Sequence, residues 1–151
     1  MILENFVSNY VFLADDDEDD RLFFKDAIKE VSPETELFMV KDGLELMNIL
    51  HSFPDRMPNV IFLDLNMPVK NGFECLEDIK KDDKLKDLPV VIFSTTLQED
   101  AVNRVYNQGA NYFVCKPASF SQLKNVIKRI LHIDWLKEFS QPSKEKFIVS
   151  I

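Results

Sequence analysis

Five side chains able to do chemistry stand where apolar runs end. Asp15 and Asp16 open the acidic stretch of "LADDDEDD" (13–20), Asp64 follows the run in "VIFLDLN" (60–66), Ser94 closes the run in "VVIFSTT" (90–96), and Lys116 follows another in "VCKP" (114–117). If the ends of those runs meet, three carboxylates, a hydroxyl and an amine share one depression. Three neighbouring carboxylates cannot all stay ionised without compensation. A divalent cation is the simplest compensation, and an all-oxygen ligand set with room for water favours Mg²⁺. The three carboxylates carry a formal charge of −3, which one Mg²⁺ and the Lys116 ammonium together match. An incoming phosphoryl group could use both cations as counter-charges.

Positioning these five requires particular elements. "YVFLA" (10–14), "ELFMV" (36–40), "NVIFLDL" (59–65), "LPVVIFS" (88–94) and "YFVC" (112–115) read as strands. The third is almost continuously apolar, as in a strand buried on both faces. Between them, 20–31, 43–53, 73–81 and 98–110 carry apolar residues at helical spacing, with Gly109 placed to end the fourth helix. A last helix is expected over 119–139, continuing through "HIDWLKEF", and 140–151 reads as an appended tail. Strand and helix thus alternate five times. That order implies an α/β fold, a doubly wound parallel sheet with helices on both faces. Such sheets bind ligands beyond the carboxyl ends of their strands, where strand order reverses.

The acidic run has simpler readings too. Asp17, Glu18, Asp19 and Asp20 are expected only to cap and charge the start of the first helix. Asp15, Asp17 and Asp19 match the first ligands of an EF-hand loop, but Asp20 stands where that loop needs glycine, and a strand precedes it in place of a helix. Composition narrows the function further. The 151 residues suit one domain, and a hydrophobic content of 46% with 13 Phe can build a core. A formal net charge of −8 argues against nucleic acid or an anionic membrane surface as a partner. Cys75 and Cys115 show no metal spacing and read as small buried hydrophobes. With no signal peptide or membrane span in view, a cytoplasmic setting is expected.

In these residues the chain resembles the receiver domain of two-component response regulators, over about 9–131. "DLNMPVKNG" (64–72) fits the family's D-x-x-M-P-x-x-x-G pattern, and "GANYFVCKP" (109–117) its G-A-x-x-x-x-x-K-P spacing. The resemblance implies a flavodoxin-like, five-stranded sheet in the order 2-1-3-4-5. It implies a receiver domain over 1–139 with an extended last helix. Asp64 would accept a phosphoryl group from a histidine kinase or histidine phosphotransfer protein. Asp16, Asp64 and the Asn66 backbone carbonyl would bind Mg²⁺, with Asp15 acting through water, and Lys116 and Ser94 would contact the phosphoryl oxygens. A cis bond before Pro117, frequent in the family, would aim Lys116 inward. Ser94 and Phe113 would form the switch, Ser94 moving toward the phosphoryl group and Phe113 turning inward. Thr95 is bulkier than the family's usual alanine and would restrict access.

The resemblance also implies a stand-alone signalling protein, not an enzyme acting on a separate substrate, because only about 20 residues follow the last receiver helix, too few for a DNA-binding module. It would act on an unknown downstream protein. A stripe of Ile133, Trp135, Leu136 and Phe139 suggests a docking surface or a homodimer contact. Two alternatives remain at this point. One is a non-phosphorylated interaction scaffold. The other is a Mg²⁺-dependent phosphohydrolase of the haloacid dehalogenase type, which wants a second acid where Asn66 stands.

Overall fold

The computed structural model describes residues 9–52, 54–135 and 141–149. Five strands, β1 (Tyr10–Ala14), β2 (Glu36–Val40), β3 (Val60–Leu63), β4 (Val90–Ser94) and β5 (Tyr112–Cys115), form one parallel sheet in the order β2-β1-β3-β4-β5. Both the parallel sheet and the 2-1-3-4-5 order expected from the sequence are present. Strand order reverses between β1 and β3, so their carboxyl ends flank a crevice. All four side chains of β3 are buried, as its unbroken apolar run requires.

Alternation along the strands separates two cores. Phe12, Ile61, Leu63 and Ile92 face one side, against α2 (Gly43–Ser52), α3 (Gly72–Lys81) and α4 (Glu99–Asn107). Leu13, Phe62, Phe93 and Val114 face the other, against α1 (Glu18–Val31) and α5 (Phe120–Leu131). On that side Phe24, Phe62 and Phe93 pack edge to face, with centroids 4.9 to 6.0 Å apart. Each such side chain contributes about 1.5–3 kcal/mol by leaving water. Cys75 is buried as expected, while Cys115 is only partly so.

Helix ends follow local chemistry. The Asp17 carboxylate accepts from the Asp20 N–H and starts α1, two residues earlier than the apolar periodicity suggested. Asn71 and Glu74 form a reciprocal capping box at α3. Gly109, at φ +101°, ends α4: its own N–H donates to the Tyr106 carbonyl and that of Ala110 to the Val105 carbonyl.

Two expectations fail at the C-terminal end. The last helix stops at Leu131 with His132 as its cap, so the extension expected to 139 is absent across 132–135; 136–139 lie outside the described residues. The lysine- and arginine-rich last turn ends where its carbonyls bond back to the His132 N–H. Nor is the tail a bare appendage. A short helix, α6 (Lys144–Phe147), puts Phe147 fully into the core beside Tyr106 and Phe113.

Candidate functional site

Sheet hydrogen bonding carries the site residues into place. The Asp15 N–H donates to the Val40 carbonyl, that of Asp64 to Ala14, and that of Lys116 to Ser94, at 2.9 to 3.1 Å. Each residue is therefore the next rung of the parallel ladder after its strand ends. The structure brings Asp15, Asp16 and Asp64 together, with one carboxylate oxygen of each within 4.8 Å of the others. Asp15 and Asp64 are buried, and Asp16 is exposed.

Backbone donors orient the two buried carboxylates. Asp15 Oδ1 accepts from the Asp17 N–H at 3.0 Å, and Asp64 Oδ1 from the Leu65 N–H at 2.8 Å. The Lys116 ammonium closes the cluster, 2.9 Å from Asp15 Oδ2, 3.2 Å from Asp64 Oδ2 and 2.8 Å from Asp20 Oδ2. It is directed in hydrogen-bond geometry at Asp20 and Asp64. Asp15 Oδ2 is buried and is held by the charge of the ammonium at 2.9 Å, off the best-aligned N–H directions. Lys116 reaches this position although no cis peptide bond is present among the described residues, contrary to the expectation at Pro117.

Burial dominates the electrostatics. It pushes the Asp15 carboxyl up to about 6, against the opposing pull of Lys116, and raises Asp64 as well. Burial alone would lower the Lys116 ammonium, but its contacts with Asp20 and Asp15, reinforced by the charge of Asp64, hold it above its usual range. A pocket that raises two carboxyls although an ammonium stands between them is short of positive charge. The donor set fits a hard divalent cation: carboxylate oxygens on one side and an open, exposed face toward Asp16 for water.

The loop after β3 explains the motif around Asp64. A Cβ at position 72 would overlap the Asp64 carbonyl oxygen, so only glycine fits there. Val69, at φ +67°, sits at the centre of a tight turn in which the Lys70 N–H donates to the Pro68 carbonyl at 2.7 Å. The Lys70 carbonyl in turn accepts from the Gly43 N–H, tying this loop to α2. Asn66 is exposed at the rim, its N–H 3.5 Å from Asp64 Oδ1.

Ser94 is fully buried, and its Oγ accepts from the Thr96 N–H at 3.3 Å. Thr95 is exposed. Phe113 pairs with Ile92, two residues before Ser94 in the ladder, and is already fully buried beneath Phe147. Two polar side chains at the site escaped the sequence reading. The Arg21 guanidinium donates to the Asp15 carbonyl at 2.8 Å. Asp20, expected only to serve the start of α1, pairs with Lys116, and no local pattern in the acidic run set it apart.

Comparison with known proteins agrees with this geometry. The family model described as "Response regulator receiver domain" matches residues 11–128. The chain is 32% identical to the response regulator Rcp1 of Synechocystis sp. (strain ATCC 27184 / PCC 6803 / Kazusa), over 88% of this chain and 92% of that protein. Among solved structures, the phosphorylated cyanobacterial phytochrome response regulator RcpA superposes with a TM-score of 0.78 at 34% identity, covering 91% of this chain and 100% of that one. The Mn(2+)-bound form of Rcp1 superposes with a TM-score of 0.74 at 30% identity, covering 89% and 99%.

Proposed function

Because the chain belongs to the response regulator receiver domain family, we propose that it is a signalling phosphoacceptor that takes a phosphoryl group onto Asp64 from a histidine kinase or histidine phosphotransfer protein. The observation that carries this reading is the cluster of Asp15, Asp16 and Asp64 closed by Lys116 at the carboxyl edge of the sheet, with Asp15 and Asp64 buried. The Leu65 N–H holds the Asp64 carboxylate through Oδ1, so the group is oriented before a donor arrives. A carboxylate oxygen of Asp64 attacks phosphorus in line with the departing imidazole nitrogen. The P–O bond forms as the P–N bond breaks, and the nitrogen keeps the electron pair. The product is an acyl phosphate on Asp64.

Asp16, Asp64 and the Asn66 carbonyl would hold Mg²⁺, with Asp15 acting through water, and the ion would supply positive charge for the phosphoryl oxygens. The Lys116 ammonium shifts from carboxylate to phosphoryl oxygen and neutralises part of the charge delivered. The Ser94 hydroxyl turns to donate to another of those oxygens. That movement empties space beside Ile92 and Phe113, so the packing of Phe113 reports the state of Asp64 to the face formed by α4, β5 and α5. A downstream protein, or a second copy of the chain, reads that face. The setting proposed is the cytoplasm, where such kinases deliver phosphoryl groups.

Incubation with Mg²⁺ and acetyl phosphate is expected to add one phosphoryl group per chain by intact-mass measurement. Asp64→Asn is expected to stay folded and to take up none. Normal uptake by a folded Asp64→Asn protein would overturn the assignment.

A further inference from the structure

Asp20 has a carboxylate that its helix does not use. Asp17 supplies the cap of α1, and Asp20 contributes only its N–H to it. The Asp20 side chain instead crosses to Lys116 and makes the shortest of that ammonium's three contacts, 2.8 Å against 2.9 Å to Asp15 and 3.2 Å to Asp64. Exposure also sets Asp20 apart from the other two partners. The Asp15 and Asp64 side chains are 0% and 7% exposed, whereas that of Asp20 is 39% exposed. Asp20 therefore stands at the mouth of the site, between Lys116 and solvent. Three carboxylates crowd this one ammonium, Asp20 and Asp64 in hydrogen-bond geometry and Asp15 as an ion pair.

We propose that Asp20 is a positioning residue that tethers Lys116 at the mouth and competes with the phosphoryl group for its N–H donors, thereby weakening the hold of the site on phosphoryl anions and shortening the life of phospho-Asp64. The inference rests on the reading of Asp64 as phosphoacceptor. A phosphoryl group on Asp64 brings further negative oxygens to the same ammonium. Lys116 can serve them fully only by releasing Asp20, and the released carboxylate is then a like charge beside the new anion. The contact with Asp20 is absent from the machinery assigned to transfer itself, so its loss leaves the nucleophile and the metal ligands in place and frees Lys116 to turn toward Asp64.

The test uses the full chain and beryllofluoride, a tetrahedral mimic of an acyl-bound phosphoryl group, titrated by calorimetry at saturating Mg²⁺. Asp20→Asn is expected to tighten beryllofluoride binding by roughly three- to tenfold. It is also expected to slow loss of the phosphoryl group from Asp64 by a similar factor, without tightening the binding of Mg²⁺ alone. Asp19→Asn removes the same charge from the same helical turn without touching Lys116, and is expected to match the parent. A merely structural role for Asp20 in α1 would move the melting temperature and leave this split between anion and metal unchanged. Equal or weaker beryllofluoride binding by Asp20→Asn, or an equal gain in Asp19→Asn, overturns the proposal. A parent chain that takes neither beryllofluoride nor a phosphoryl group overturns the reading of Asp64, and this one with it.

Discussion

Asp15 illustrates how a buried carboxyl at the candidate site destabilises the fold that holds it. Its carboxyl rises from 3.8 to about 6, mainly because burial disfavours the charge. A carboxyl raised in the folded state binds its proton more tightly there than in the unfolded chain. Its contribution to stability is therefore fullest below the unfolded value and is lost as pH rises through about 6. By neutral pH the cost reaches on the order of 1–3 kcal/mol in the metal-free protein. Asp15→Asn is accordingly expected to raise the metal-free melting temperature at pH 7.5. The gap between variant and parent is expected to shrink as pH falls toward 5, and saturating Mg²⁺ is expected to narrow it at pH 7.5. Thermal unfolding of both proteins across that range checks the sign. A gap that widened on acidification would mean that Asp15 is stabilised as a carboxylate.

Secondary elements end where the site needs them to. Each strand that contributes to the cluster stops within one residue of its functional group, and the ladder hydrogen bonds to Val40, Ala14 and Ser94 carry the register across the gap. At the far end of α4, Gly109 adopts a positive φ that a Cβ would strain, and two backbone hydrogen bonds depend on it. Gly109→Ala is expected to cost about 1 kcal/mol or somewhat more in urea denaturation. The loss is expected as a lower midpoint with an unchanged slope, since the amount of buried surface stays the same. Uptake of a phosphoryl group from acetyl phosphate should be retained, because Gly109 lies at the opposite edge of the sheet from Asp64.

Across the whole molecule, the C-terminal segment is a strap over the edge of the sheet. Gln141 Nε2 donates to the Tyr106 and Ala110 carbonyls, and Tyr106 Oη donates to the Pro142 carbonyl. The Val149 N–H donates to the Phe113 carbonyl, and Ile148 bridges Phe113 in parallel register. This blunts the free edge of β5, which would otherwise invite pairing with another chain. Of the apolar stripe read as a docking surface, Ile133 and Trp135 pack against the core on the α1 and α5 side, Trp135 lying 6.0 Å from Tyr112. Leu136 and Phe139 lie outside the described residues. Removing a buried phenyl ring costs about 3–5 kcal/mol when no relaxation is possible. If the strap undocks while the sheet stays folded, Phe147→Ala is expected to cost less, on the order of 2 kcal/mol. Hydrogen exchange should then show amides 141–149 losing protection while β1 and β3 keep theirs. Uniform loss across the sheet would mean that the strap is integral to global folding.

What the sequence determined by itself was the local grammar and the chemistry it serves. Apolar runs of strand length alternated with helical periodicity. The residues at the ends of those runs, Asp15, Asp64, Ser94 and Lys116, were legible because a parallel sheet has to gather strand ends on one edge. Gly72 and Gly109 were legible as motif positions, although the carbonyl of Asp64 that excludes a side chain at 72 belongs to the folded loop. Contacts between distant segments were decided only in three dimensions. Asp20 looked like one more helix-start acid among four, and its pairing with Lys116 joins positions 96 residues apart. Phe147 sat in a stretch that read only as an appended tail, and the fold buries it between Tyr106 and Phe113. The last helix stopped at Leu131 although helical periodicity continued, and beyond its cap Ile133 and Trp135 pack against the core, Trp135 beside Tyr112. Periodicity reports which residues seek burial, but the partner that buries them is a property of the whole chain.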